Sequence, residues 1–240
     1  MSIAVKICGI TRPQDGACAL ELGAAELGFI LAPSPRRVEP ETVRLILEEL
    51  RGGSAGRRRN SFRAIGVFVN EDPGAMRDII SYTGLDAAQV HGDERPENCT
   101  EFGFPWYRAL RPVGAAEAAS EASLPWGCDR LLVDAATRSA YGGTGISVGI
   151  WAALAARRSA RALGREFFLA GGIGPASVGA VVHSIRPDGI DVSSGVEEAP
   201  GRKSREKLEE LFAALRRAEA DALRDAEARS RGEEYQFATR

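Results

Sequence analysis

Two side chains suited to proton transfer each close a short apolar run of the sequence. Cys8 ends the run AVKIC and precedes Gly9, and Asp134 ends the run RLLVD. A thiol, whose ordinary pKa is about 8.5, becomes a competent base where amide dipoles or a cation favour the thiolate. A carboxyl group partly withdrawn from water can act as a general acid near neutral pH. The pair indicates acid–base chemistry, although a buried structural thiol and a loop-capping aspartate would also suit these positions.

Glycine-rich segments with hydroxyl side chains follow two later apolar runs, in AGGIGP and DVSSGVE. Glycine lets backbone N–H groups approach a ligand closely, and serine hydroxyls add further donors. Amides and helix N-termini can hold a phosphate dianion without a lysine. Helix-capping turns would explain one such segment well and two less well, so we predict a shared phosphate site. Its candidate residues are Gly171, Gly172, Gly174, Ser193, Ser194 and Gly195.

Arginine occurs twice in the turn SPRRV, where a guanidinium could hold a carboxylate through two parallel hydrogen bonds. The chemistry of the residues does not choose between Arg36 and Arg37. His91 follows another apolar run and could exchange a proton, but a histidine satisfied by the surrounding protein suits a strand end as well. We therefore expect a structural role for His91.

These residues need a scaffold that brings the ends of several runs together, and strand and helix patterns alternate roughly every 30 residues. Strands are predicted over 4–8, 26–31, 63–69, 87–91, 106–110, 130–134, 166–170 and 189–193. Helices are predicted over 13–22, 40–50, 73–82, 94–102, 114–121, 147–160, 175–184 and 204–218. In a barrel built from such units, function belongs to the carboxyl ends of the strands, where the candidates stand.

The pattern predicts an α/β protein with a single (β/α)8 barrel over 1–218, because eight units follow one another without a break in composition. A charged extension over 219–240 is expected to combine the end of the last helix with disorder. The basic segment 51–60 is expected to be a solvated loop on the opposite face of the barrel. An open doubly wound sheet is disfavoured because the first turn, CGITRP, lacks the G-x-G-x-x-G fingerprint.

Charge and composition exclude several classes of protein. The chain has 240 residues with 31 Lys and Arg against 33 Asp and Glu, which excludes nucleic-acid binding through overall positive charge. The four cysteines, at 8, 18, 99 and 128, form no CxxC pair, so we predict reduced thiols and no metal. The start MSIAVKICGI lacks a signal-peptide pattern, and no stretch has the composition of a transmembrane helix. We expect a cytoplasmic protein with no membrane or nucleic-acid partner.

Taken in order, the motifs VKICGIT, GFILAPSPRRV, IGVFVNEDP, QVHGDE, LLVD with YGGTG, LAGGIGP and GIDVSSGVEEAPGRK resemble those of phosphoribosylanthranilate isomerases of tryptophan biosynthesis. The similarity covers residues 3–215. It implies the Amadori rearrangement of N-(5-phosphoribosyl)anthranilate to 1-(2-carboxyphenylamino)-1-deoxyribulose 5-phosphate, without cofactor or metal. The implied partner is this small phosphosugar substrate, and the chain would be a monomer or homodimer.

The resemblance also implies roles for individual residues. Asp134 would be the general acid that opens the sugar ring, and Cys8 the general base that removes the C2 proton. Arg36, rather than its neighbour, would hold the anthranilate carboxylate, and Asp191 would be a binding or supporting residue. The glycines and serines of the two late segments would hold the phosphate.

One segment departs from the pattern that the family usually shows. Phe-Asp-Trp is usual two residues after GGTG, whereas here Ile146 and Ser147 precede the sequence Val-Gly-Ile-Trp. We therefore expect the substrate pocket near 146–151 to differ from that of other members.

Two alternative functions are compatible with such a barrel. The related histidine-pathway isomerase needs a second anion site, but the loops NEDPG and HGDERP carry carboxylates that would repel a phosphate. A catalytically silent phosphosugar-binding barrel would keep the glycine loops but has no reason to carry both Cys8 and Asp134.

Overall fold

Eight parallel strands form a closed barrel in the computed structural model, which describes residues 2–52, 62–99, 102–134 and 148–230. They are β1 (Ala4–Cys8), β2 (Glu26–Ile30), β3 (Arg63–Phe68), β4 (Ala87–Val90), β5 (Trp106–Leu110), β6 (Arg130–Asp134), β7 (Glu166–Ala170) and β8 (Gly189–Val192). Each strand pairs with the next, and β1 pairs with both β2 and β8. The predicted (β/α)8 barrel is confirmed.

Seven α-helices lie among the described residues. They are α1 (Pro13–Leu22), α2 (Pro40–Gly52), α3 (Pro73–Thr83), α4 (Ala115–Ala122), α5 (Val148–Ala162), α6 (Val178–Ser184) and α7 (Arg205–Ser230). None of the helices in these ranges is both long and apolar enough to span a membrane. Residues 53–61, which include most of the basic segment 51–60, lie outside the described residues.

The helix predicted over 94–102 is wrong for the described residues of that range. Only one 3₁₀ turn, Pro96–Asn98, forms there. Glu94 accepts hydrogen bonds from the backbone N–H groups of Asn70 and Gly92 and pairs with Arg108, so its side chain ties the approach to Pro96 to neighbouring loops. Proline then fixes the start of a single short turn.

Apolar side chains fill the interior of the barrel below its carboxyl end. The interior cluster consists of Ile65, Ala87, Tyr107, Ala109, Leu132, Phe168 and Ala170. The Phe168 ring uses the space above Gly189, where a Cβ atom would lie 2.2 Å from the ring. This packed layer fills the interior, and the space left for a ligand lies at the end where the strands finish.

A short ribbon and a long helix follow the last barrel strand. The ribbon pairs β9 (Glu197–Ala199) with β10 (Arg202–Lys203) in antiparallel fashion and was not predicted from the sequence. Helix α7 continues past the predicted end at 218 to Ser230, because its alanine-rich, charged sequence contains no glycine or proline. Residues 231–240, for which disorder is predicted, lie outside the described residues.

Candidate active site

A cavity of about 240 Å³ opens at the carboxyl end of the barrel. Cys8, His91 and Asp134 line it from the ends of β1, β4 and β6. The loops after β7 and β8 contribute further predicted residues, namely Gly171, Gly172, Ser193 and Ser194, and Asp191 lines it from β8. Candidates taken from separate parts of the sequence thus meet around one space, because parallel strands present their carboxyl ends at the same edge.

Cys8 is a buried residue of this wall, with 6% of its surface exposed. It is paired with Gly28 on β2, and a Cβ atom at Gly28 would lie only 2.7 Å from the Cys8 sulfur. The absence of a side chain on β2 therefore makes the space that the thiol occupies. Burial raises the pKa of the Cys8 thiol, whereas the positive charges of Lys6 and Lys203 act to lower it.

Lys6 lies beside the thiol and is completely buried in the barrel. Its ammonium donates hydrogen bonds of 2.8 Å to the Asp191 carboxylate and 2.8 Å to the Gln89 side-chain oxygen. Burial is the largest single influence and disfavours the ammonium ion, but the charge of Asp191 and its hydrogen bond, together with Cys8 and Tyr107, outweigh it, so the pKa of Lys6 lies well above its ordinary value. Sequence reasoning missed Lys6 and Gln89, although a lysine inside the apolar run AVKIC was a visible signal.

His91 continues this chain of hydrogen bonds toward the cavity. The Gln89 oxygen accepts from both Lys6 and the Tyr107 hydroxyl, so its amide nitrogen faces His91 Nδ1 at 3.1 Å. Burial, with smaller contributions from the nearby cations Arg111 and Lys6, lowers the pKa of His91 to about 4. The imidazole is therefore neutral at pH 7, with its proton on Nε2. Buried Nε2 has no protein partner in the described ranges. The expectation that the surrounding protein satisfies the hydrogen bonds of His91 therefore holds for Nδ1 only.

The loops after β7 and β8 approach each other through their backbones. Gly171 and Gly172 have φ of 100° and 67°, a region that side chains disfavour. A Cβ atom at Gly195 would lie 2.0 Å from the Ile173 carbonyl oxygen, so the contact requires glycine. The Ser193 hydroxyl, in the loop after β8, is buried near Gly9 and finds no hydrogen-bond partner in the part of the chain that is described. Two closely spaced backbone segments and a hydroxyl without a protein partner are features suited to binding a small anion.

Arg36 packs against Gly9, where a Cβ atom would lie 2.7 Å from Arg36 Cδ, and its guanidinium is paired with Glu197. The two groups form hydrogen bonds of 2.8 Å from Nε and 2.7 Å from Nη2. Arg37 is half exposed and pairs with Glu39 at the surface. The positions of Arg36 and Arg37 therefore distinguish the two residues, which the chemistry of their side chains did not.

Glu197 also connects Arg36 to Cys8, through Lys203. Lys203 Nζ donates to Glu197 at 2.9 Å and to the Cys8 backbone oxygen at 2.6 Å. Burial alone would raise the pKa of Glu197, but hydrogen bonds from Arg36 and Lys203 lower it to about 2. Sequence reasoning missed Glu197 and Lys203, because they meet the site only through the ribbon formed by β9 and β10.

The comparison with protein families identifies the chain. Residues 5–214 match the family model described as N-(5'phosphoribosyl)anthranilate (PRA) isomerase. The chain belongs to the phosphoribosylanthranilate isomerase family. It is therefore an enzyme, an isomerase of tryptophan biosynthesis.

Named relatives and solved structures of the phosphoribosylanthranilate isomerase family agree with this assignment. The isomerase of Magnetococcus marinus is 38% identical over 224 residues, which cover 92% of this chain and 99% of the relative. The crystal structure of phosphoribosyl anthranilate isomerase from Thermus thermophilus superposes with a TM-score of 0.73 and 39% identity, covering 90% of this chain and 99% of the other. A phosphoribosyl anthranilate isomerase in complex with reduced 1-(o-carboxyphenylamino)-1-deoxyribulose 5-phosphate gives a TM-score of 0.70 at 28% identity, covering 89% and 98%.

The segment that departs from the usual phosphoribosylanthranilate isomerase pattern is described only in part. Residues 135–147, including YGGTG with Ile146 and Ser147, lie outside the described residues. Helix α5 begins at Val148, and Trp151 lies on its surface with 57% of its area exposed. The difference expected for the pocket near 146–151 therefore stays a prediction.

Proposed function

We propose that Cys8 and Asp134 perform the rearrangement of N-(5-phosphoribosyl)anthranilate as general base and general acid. The observation that carries this proposal is their joint presence in the wall of one cavity, beside the loops after β7 and β8. Each positioned acid or base accelerates such a reaction by about 10² to 10⁴.

The proposed reaction begins at the sugar ring. Asp134 donates a proton to the ring oxygen as the bond from C1 to that oxygen breaks, and the anthranilate nitrogen supplies the electrons that form an iminium ion. The iminium acidifies the C2 hydrogen, which Cys8 removes as a proton. The resulting enolamine takes up a proton at C1 and loses the proton of its C2 hydroxyl, which gives the ketone at C2. No metal or redox cofactor is required, because the iminium nitrogen itself withdraws electrons from C2.

The two ends of the substrate would be held by different kinds of groups. Backbone amides and hydroxyls of Gly171, Gly172, Gly174, Ser193, Ser194 and Gly195 would bind the phosphate. Arg36 would bind the anthranilate carboxylate with the edge of its guanidinium that Glu197 leaves open, since Glu197 takes Nε and Nη2. Asp191, which has one buried oxygen without a protein partner among the described residues, would accept a substrate hydroxyl.

The proposal is tested by steady-state kinetics on substrate generated in situ, without added metal. Cys8→Ser and Asp134→Asn should lower kcat by about 10² to 10⁴ each. Matched controls are Cys18→Ser, in helix α1, and Asp129→Asn, which precedes the same strand that Asp134 ends. Both controls should turn over like the wild type, and wild-type turnover in Cys8→Ser or Asp134→Asn would refute the assigned roles.

The same assay separates the alternative functions. A silent phosphosugar-binding barrel would bind the product without turnover in the wild type. A histidine-pathway isomerase would turn over the substrate with two phosphates, which the exposed carboxylates Glu71 and Asp93 beside the loops after β3 and β4 oppose.

We also infer the setting in which the enzyme works. It acts in the cytoplasm on a small phosphosugar, as a monomer or homodimer, without nucleic-acid or membrane partners. One solved structure, at 29% identity, is described as monomers generated from the dimeric phosphoribosylanthranilate isomerase of Thermotoga maritima, so both states are known for that relative. Analytical ultracentrifugation of the full chain measures which state holds here.

A further inference from the structure

The buried cation Lys6 contacts the proposed base and has no assigned role in the reaction. It is paired with Asp191 across the seam between β1 and β8, and its charged group lies 2.8 Å from that carboxylate. Charged groups are almost never fully buried unless they are paired, and burying both costs several kcal/mol per ion before their attraction is counted. An ion pair in this position is therefore weak evidence for a purely stabilising role.

The hydrogen-bond capacity of Lys6 points to the sulfur of Cys8. An ammonium group has three N–H donors and no acceptor. Asp191 and the Gln89 oxygen accept two of them. The third donor is left over by these two acceptors. The positive charge of Lys6 acts on the Cys8 thiol, which lies two residues along the same strand and borders the same space above Gly28.

The β2 strand keeps this contact open. A Cβ atom at Gly28 would lie 2.7 Å from the Cys8 sulfur and 3.0 Å from Lys6 Cε, so both side chains border the same small space. Gln89 is itself fixed by the Tyr107 hydroxyl at 2.9 Å, which leaves the ammonium little freedom to turn away.

We propose that Lys6 is a positioning residue whose charge favours the thiolate form of Cys8 against the cost of burial, with Asp191 as the counter-charge that limits the effect. The inference rests on the proposed function of Cys8 as the base. Other charged groups act on the sulfur as well: Lys203 from β10 and Arg36 from the loop after β2. His91 and Asp134 face it across the cavity. Lys6 differs from these in being part of the same strand as Cys8, two residues from it.

The test is the titration of Cys8 in the full chain, followed by the ultraviolet absorbance of the thiolate and corrected with Cys8→Ser. Lys6→Met should raise the pKa of Cys8 by at least about one unit, a tenfold smaller thiolate fraction at a given pH. Asp191→Asn should lower the pKa of Cys8, because it removes the opposing negative charge. The matched control is Lys207→Met, a lysine of α7 that donates to the Glu197 backbone oxygen and should leave the titration unchanged.

Opposite shifts in the two variants support the proposal, since simple structural damage would not move the thiol pKa in two directions. If Lys6→Met does not fold, Asp191→Asn alone decides: an unchanged or raised thiol pKa in that folded variant overturns the proposal. An unchanged thiol pKa in folded Lys6→Met overturns it as well. The acid limb of kcat/KM should follow the thiol pKa in each variant. Wild-type turnover by Cys8→Ser would instead refute the proposed function, whatever the titrations show.

Discussion

Replacing Gly195 with alanine tests whether the loops after β7 and β8 form one phosphate site. The new Cβ atom would lie 2.0 Å from the Ile173 carbonyl oxygen and 3.0 Å from Gly174 Cα. Both contacts are with backbone, so the two loops must separate. Overpacking of this kind costs about 1–3 kcal/mol. For a domain of this size, each kcal/mol moves Tm by roughly 2–4 °C, so we expect Tm to fall by roughly 2–12 °C.

Gly179→Ala is the matched control, because the same substitution on α6 meets no atom within 4 Å. Alanine is favoured over glycine inside a helix by roughly 0.5–1 kcal/mol, so this variant should be more stable than the wild type. The two substitutions are therefore expected to shift Tm in opposite directions.

Affinity for the phosphorylated product, measured by calorimetry, completes the test. Separation of the loops should remove at least one hydrogen bond to a charged group, worth about 1.5–3 kcal/mol, and weaken binding roughly 10- to 150-fold. A Gly195→Ala variant with wild-type Tm would refute the close approach of the loops. A destabilised variant with wild-type affinity would refute the phosphate assignment alone.

Two other predictions concern Arg36 and His91. Arg36→Met should raise KM at least about tenfold through loss of a charge-assisted pair, whereas Arg37→Met should leave KM unchanged; equal effects in steady-state kinetics would refute the carboxylate assignment. His91 has a pKa of about 4 in the folded chain, below its ordinary 6.5. The folded chain keeps this imidazole neutral, which carries no cost above pH 6.5. As the pH falls from 6.5 to 4, about 3 kcal/mol of the free energy of unfolding is lost. Urea unfolding should show that His91→Gln loses less stability on acidification than the wild type. Parallel plots of the free energy of unfolding against pH for the two proteins would contradict this.

Sequence reasoning located the strand ends well because their residues carry local signals. Cys8 and Asp134 end apolar runs, and the bounds predicted for β1, β5, β6 and β7 agree with the structure. Lys6 and Gln89, which lie beside Cys8, were missed for a physical reason. They lie on strands that are buried on both faces, so periodicity does not show which side chains meet inside a closed sheet, and Asp191, their partner on β8, was predicted only from the resemblance. Glu197 reaches Arg36 only because the chain turns back after β8.

Closure of the barrel joins the beginning of the chain to its end. Lys6 contacts Asp191 across 185 residues of sequence, and Lys203 reaches the Cys8 backbone across 195. Contacts between such distant residues form late, because a long loop must close before they contribute stability. Nascent chains that stop before β8 therefore contain Cys8 without Asp191 and Lys203, two of the charges that surround it in the folded protein. Enzyme activity consequently reports that synthesis has passed Lys203 and that the first and last strands have paired.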